Sequence, residues 1–253
     1  MNKDWLRPDW PATLGVGAVM TTRRGGSSLA PFDTMNLGLR VGDDGTAVST
    51  NRRVFASSLL DAEPVFLHQV HGTRVVRLGR EHLGRRDDDA VEADAAFTTQ
   101  RGIACTIQVA DCMPVLLAAR DASVVGAAHA GWRGAAGGVI ENTVAAMCEA
   151  GRVAASDLVA WMGPCIGPDA FEVGADVLDA FGGDARSFCE APRNEGVMRW
   201  LADLPSIVRR RLERSGVAAI DGGTWCTVRE PLRFFSFRRD KQTGRHAAAV
   251  WIR

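Results

Sequence analysis

From Val124 to Ala128 every residue is apolar or small, so this stretch reads as a strand buried on both faces rather than one with alternating polar positions. It delivers His129 into the small-residue segment AHAGWRG. IACTIQVA, VLLAAR and LVAWMG predict further strands of the same kind, and GVGAVMTT predicts a strand entering the glycine-rich loop RRGGSSLAPFD. VFLHQV and TRVVRL are short strands around His71-Gly72, while RFFSFRRD and HAAAVWIR predict closing strands. Helical spacing appears over 46–60 and in GAAGGVIENTVAAMCEAG, where Val139, Ile140, Val144, Met147 and Cys148 share one face. Two further helices are expected from about Asp169 and from about Leu201. The polar excursion GREHLGRRDDDAVE (79–92) is expected to be a solvated loop. Without strict strand–helix alternation, the pattern predicts an α+β domain with mixed β-sheets flanked by helices, not a doubly wound one.

Composition adds boundaries rather than chemistry. With 253 residues, no internal repeat and no clear linker, the chain is expected to form one domain over 1–253. Formal net charge is zero, which argues against nucleic acid or an anionic membrane as a partner. The N-terminus MNKDWLRPDWPATL lacks the apolar core of a signal peptide, and no run approaches the about 18 apolar residues of a membrane helix. A cytoplasmic protein is therefore expected. Its six cysteines then read as free thiols or metal ligands rather than a disulfide set.

Three short motifs share one physical pattern, a potential ligand at a strand end beside glycine or another small residue. They are HQVHG with His71, VADCMP with Cys112 and AHAGWRG with His129. Forty-one positions separate His71 from Cys112 and seventeen separate Cys112 from His129, too far for one finger-type loop but suited to neighbouring strands. Two histidines and a thiolate would give a metal three protein ligands and leave a fourth position open. Taken singly, each has a plainer reading: a hydrogen-bonded core histidine, or a cysteine acting as a small buried apolar group. Asp111 is a candidate for orienting a ligand histidine, and equally for capping a turn.

The segments TTRRGGSS, NLGLRVGDD, HQVHGTRVV, ADAAFTTQRGIACTIQVADCMPVLL, VVGAAHAGWRGAAGGVIENTV, GPCIGPDAFEVG and FFSFRRDKQTGRHAAAVWI together resemble the bacterial YfiH-type laccase-domain family. That family has been called polyphenol oxidase and purine nucleoside phosphorylase. The resemblance runs in order from about residue 15 to the C-terminus. It implies a fold similar to that of deamidating toxins of the cytotoxic necrotizing factor type, with zinc held by His71, Cys112 and His129. It also implies phosphorolysis of adenosine, inosine, guanosine or methylthioadenosine, and deamination of adenosine. The partners it implies are a small-molecule nucleoside and phosphate; the protein itself is expected to be a monomer or weak homodimer.

Phosphorolysis needs cationic donors for phosphate. Arg133, in a glycine-bounded turn four residues after His129, is the first candidate, with Asp111 beside Cys112 as a catalytic carboxylate. Arg23, Asn36, Cys165 and Arg238 are candidate substrate-binding residues, Cys165 as pocket wall rather than nucleophile. A blue-copper His₂Cys set would need an axial methionine, but Met113 follows Cys112 directly and alternation sends it to the opposite face. Five histidines are also too few for a multicopper cluster, so zinc is expected over copper. Neither glycine cluster has the G-x-G-x-x-G spacing of a dinucleotide fold, and the zinc signature of the cytidine deaminases is absent. Three other readings stay open: an editing hydrolase acting on peptidoglycan precursors, a copper-dependent polyphenol oxidase (laccase), and a non-enzymatic protein with a structural zinc.

Overall fold

The computed structural model describes residues 2–85, 87–183, 186–191 and 198–253. In chain order, β1 (Val16–Met20) precedes α1 (Gly45–Ser58), β2 (Glu63–Phe66), β3 (Val75–Arg77) and β4 (Ala95–Thr98). The centre of the chain forms β5 (Ile103–Val109), β6 (Met113–Ala119) and β7 (Val125–Ala130), then α2 (Trp132–Gly137), α3 (Val139–Gly151) and β8 (Leu158–Met162). The last part holds β9 (Glu172–Val173), α4 (Ala175–Ala180), β10 (Phe188–Glu190), β11 (Trp200–Ala202), α5 (Leu204–Arg214), β12 (Ala219–Gly222), α6 (Phe237–Asp240) and β13 (His246–Ile252).

A six-stranded mixed sheet runs β12-β8-β6-β7-β4-β3, a four-stranded one β1-β13-β5-β2, and a small one β10-β11-β9. Period-two alternation sorts the core into layers. Along β6, Leu116 and Ala118 join Ile107, Val250 and Met20 of the four-stranded sheet, so the two large sheets bury a common interior. Val115 and Leu117 point the other way, against Ile140 and Val144 of α3 and Val208 and Leu212 of α5. On the outer face of the four-stranded sheet, Val19, Ala104 and Trp251 pack against Phe55 of α1. The layers are therefore helix, sheet, sheet, helix. Strands with both faces covered have no solvent side, which is why β5 to β8 read as nearly unbroken apolar runs.

The mixed α+β architecture agrees with the sequence pattern, and three local expectations are corrected. The helix expected from Gly134 onward breaks at Gly138, whose φ of 101° is left-handed and closes α2 before α3 begins. RFFSFRRD is not a strand: Phe234 and Phe235 are buried in an irregular segment that follows a turn, and Ser236 Oγ accepts from Arg239 N to start α6. The helices expected from Asp169 and Leu201 begin later, at Ala175 and Leu204, because β9 and β11 occupy those stretches. In the polar segment 79–92, three-residue helical turns form at Arg80–His82 and Asp87–Asp89, and Arg86 lies outside the described residues. All six cysteines are free thiols. No helix among the described residues is long and apolar enough to cross a membrane.

Candidate metal centre

β7 ends at the heart of the site. Its pairing with β6 on one side and β4 on the other sets Met113 opposite Ala130 and Ala95 opposite Ala128. Cys112, immediately before β6, and Asp94, immediately before β4, therefore reach His129 from its two neighbouring strands. The third segment, Leu67–Gly72, is fixed by Gln69, whose side chain imitates a strand partner. Its Nε2 donates to Gln108 O at 2.9 Å and its Oε1 accepts from Gln108 N at 2.8 Å.

This arrangement brings His71, Cys112 and His129 together, with their ligand atoms all within 4.8 Å of one another. The two imidazole centroids lie 4.7 Å apart at 68°. Tetrahedral bonds of about 2.0–2.3 Å would put ligand atoms about 3.5 Å apart, so one ion fits after side-chain movement of about an ångström. The set passes from exposed His71 through half-buried Cys112 to buried His129, so an ion held there would face solvent on one side.

Electrostatics favours the ligating form of the sulfur. Burial raises the Cys112 pKa, but His129 and His71 outweigh it and bring the thiol down to about 6. Burial lowers the His129 pKa, while Cys112 and Asp94 raise it to about 9. Without metal, the centre is thus a thiolate–imidazolium pair near neutrality. Asp94 is fully buried; burial raises its pKa, yet the His129 hydrogen bond and the backbone N–H groups of Gly72 and Val70 hold it low. His129 Nδ1 lies 2.8 Å from Asp94 Oδ1.

Gly131 explains the missing bulk after His129. A Cβ there would lie 2.8 Å from Cys112 Sγ and 3.1 Å from His71 Cδ2. Its φ of −73° is open to any residue, so glycine is needed for space rather than for conformation. Gly131→Ala is expected to keep the fold and weaken metal binding at this cluster about 5- to 150-fold, since a forced methyl costs about 1–3 kcal/mol. Chelator competition on the two proteins checks this, and equal affinities would refute it.

The cluster floors a cleft of about 590 Å³. Arg40, Arg133, Arg238, Lys241 and Arg245 line it, with Trp132, Phe171 and Phe237 as flat apolar wall. In a chain of zero net charge this is a local excess of positive charge. Arg133 is exposed and its guanidinium stacks 4.3 Å from the Trp132 ring centroid. Arg238 is held by Glu172 O at 2.8 Å and lies over Phe171.

The other residues singled out from sequence are placed differently. Asp111 lines the cleft, but its carboxylate accepts from Thr227 Oγ1 and from Arg238 N, each at 2.6 Å. It therefore anchors α6, and the carboxylate on a ligand histidine is Asp94. Asn36 is fully buried behind the cleft: its Oδ1 accepts from Gly38 N at 2.9 Å and Arg245 N at 2.8 Å, shaping the wall without facing it. The Arg23 guanidinium is engaged by Asp33 and by Pro231 O and does not line the cleft. Cys165 is fully buried beneath the cleft-lining Ile166, and burial, with Cys226 nearby, raises its pKa well above that of a free thiol. His68 lines the cleft without joining the ligand cluster.

The class of this protein is a sheet sandwich with a His-Cys-His cluster, able to hold a metal, at the floor of a cationic cleft. The sequence model of the family described as multi-copper polyphenol oxidoreductase laccase matches residues 17–253, and the chain belongs to that family. It is 46% identical over 251 residues to a Pseudomonas aeruginosa protein named purine nucleoside phosphorylase, covering 98% of each chain. It is 43% identical over 248 residues to the purine nucleoside phosphorylase YfiH of Escherichia coli, covering 97% of each. Among solved structures it is similar to a Neisseria meningitidis protein, at 42% identity and a TM-score of 0.88 with 99% of each chain covered. YlmD of Geobacillus stearothermophilus gives a TM-score of 0.89 at 35% identity, over 100% of this chain and 97% of that one.

Proposed function

We propose that the protein is a zinc-dependent purine nucleoside enzyme that cleaves adenosine, inosine, guanosine or methylthioadenosine with phosphate and deaminates adenosine. The observation that carries this reading is the convergence of His71, Cys112 and His129 at the floor of a cleft rich in guanidinium groups. The names borne by the relatives supply the substrate class. Three protein ligands leave room for one more, and zinc bound there would supply a Lewis acid for a water or substrate oxygen. Zinc is favoured over copper because Met113 is fully buried in the core and does not line the cleft, so it cannot serve as an axial ligand. The family's multi-copper description asks for more ligands than this one His-Cys-His cluster, the only group of its kind among the described residues.

In phosphorolysis a phosphate oxygen bonds to ribose C1′ as the C1′–N9 bond breaks, and the purine leaves with the electron pair and takes up a proton. In deamination water adds at C6 and ammonia departs. The chain's part in the first reaction is to hold phosphate, and Arg133 fits that task as a planar, exposed, bidentate donor. Trp132, Phe171 and Phe237 offer apolar surface for a purine ring. Arg133→Ala is expected to raise the KM for phosphate about 10- to 100-fold, the loss of a charge-assisted pair of about 1.5–3 kcal/mol. Phosphate titration at saturating nucleoside reads it directly, and an unchanged KM would remove Arg133 from the site.

The deciding experiment is chromatography of adenosine incubated with zinc-loaded protein, with and without phosphate, beside Cys112→Ala. Adenine that requires both phosphate and Cys112 supports phosphorolysis, and inosine without phosphate supports deamination. Adenosine unchanged in every tube overturns the nucleoside reading in favour of an editing hydrolase on peptidoglycan precursors. The expected likeness to the deamidating toxins belongs to the same proposal, and superposing the two-sheet sandwich on such a toxin tests it.

A further inference from the structure

We infer that Asp94 is the positioning residue of the metal centre, setting both histidine ligands at once through a carboxylate that only receives hydrogen bonds. The inference rests on the metal reading above and assigns a role to a residue that touches no substrate.

Four donors converge on this one fully buried side chain. Oδ1 takes His71 N at 2.8 Å and His129 Nδ1 at 2.8 Å, and Oδ2 takes Gly72 N at 2.6 Å and Val70 N at 3.1 Å. Three consecutive backbone N–H groups around an anion form a nest, the same device that binds phosphate in other loops. The nest requires an unusual backbone. His71 sits at φ 62°, a left-handed conformation that costs a non-glycine residue about 1–3 kcal/mol. The carboxylate thus holds the loop in the turn that presents the His71 ring, and a second segment supplies the charge.

On the other side Asp94 fixes the tautomer of His129. A neutral ring that donates from Nδ1 to a carboxylate leaves Nε2 as its only free lone pair, so Nε2 becomes the ligating atom. Backbone pairing supports the same geometry, because His129 N donates to Asp94 O at 2.7 Å. The two ligand-bearing segments, 58 positions apart in sequence, thus share one electrostatic anchor.

The arrangement makes charge and acceptor count separable from shape. Both oxygens face donors, so Asn at 94 must turn its NH₂ against two N–H groups whichever way it flips. Asp94→Glu keeps the charge and both acceptors but moves them by a methylene. Zinc affinity by chelator competition, measured on protein whose fold is verified by circular dichroism, is expected to fall about 10- to 100-fold in Asp94→Asn. In Asp94→Glu it is expected to fall less. Long-range proton–nitrogen correlation spectra of the zinc-loaded wild type are expected to show His129 protonated at Nδ1, with Nε2 bearing no proton.

Asp94→Asn that folds and binds zinc within twofold of wild type overturns the inference and leaves the metal reading standing. So does a wild-type spectrum with the His129 proton on Nε2, which decides the matter even if the variant does not fold. A wild type that takes up no zinc overturns the metal reading and this inference with it.

Discussion

On the proposed zinc reading, Cys112→Ala is expected to weaken zinc binding by about 10²- to 10³-fold with little change in thermal stability of the metal-free protein. The magnitude follows from dividing the about 10–16 kcal/mol of a four-ligand structural zinc site among its ligands, about 2.5–4 kcal/mol each. Of the three candidate ligands only Cys112 can carry negative charge, and the two imidazoles beside it bring its pKa down to about 6, toward the thiolate. It is half-buried at the edge of the core, so removing its sulfur opens no enclosed cavity. Cys112→Ser sharpens the test, since a hydroxyl nearly matches the thiol in size but stays protonated at neutral pH. If charge dominates, serine should behave like alanine; if occupancy of space dominates, serine should retain most of the affinity. Chelator competition paired with thermal unfolding checks both. A Cys112→Ala protein within tenfold of wild type in affinity would show that sulfur is no ligand.

The candidate ligands are legible in the sequence as residue types at strand ends, but their meeting is not. Cys112 and His129 come together because β6 and β7 are neighbours, and His71 is brought to them by the Gln69 pairing with Gln108 of β5 and by Asp94 before β4, so the meeting is a property of strand order rather than of any local motif. Asp94 is less legible still. In ADAAF it is one more carboxylate before an apolar run, and its role depends on a loop more than twenty residues upstream turning its N–H groups inward. β5 to β8 are legible because burial on both faces leaves continuous apolar runs. β9 to β12, two to four residues each, are too short to show a period. RFFSFRRD misleads for a tertiary reason. Its aromatic pair looks like strand, but Ser236 caps a helical turn and Asp111, 127 positions away, captures Arg238 N. Arginines show the same limit. Arg23, Arg133 and Arg238 look alike in sequence, and only the fold separates the one tied to Asp33 from the two in the cleft.

His246 is expected to make the protein acid-sensitive in a defined window. It is fully buried beside Phe234 and Phe235, with Nε2 accepting from Phe235 N at 2.8 Å. Burial, then the nearby charges of Arg23 and Arg245, depress its pKa to about 3. The unfolded chain takes up this proton near pH 6.5, whereas the native state refuses it until about pH 3. Across that interval the unfolded state binds one more proton, so stability falls as pH falls, by about 1.4 kcal/mol per pH unit. By pH 4.5 the contribution is about 3 kcal/mol, a large share of the total stability of an ordinary domain. His246→Gln keeps an acceptor within reach of Phe235 N and cannot titrate. Whatever it costs at neutral pH, its stability should decline less steeply below pH 6.5, by the slope of one proton. Denaturant titrations of both chelator-treated proteins between pH 7 and 4 give the comparison, with chelator excluding acid-driven metal release. Parallel slopes would mean that His246 is protonated in the folded protein, and its burial would then need an anionic partner that none of its ring contacts supplies.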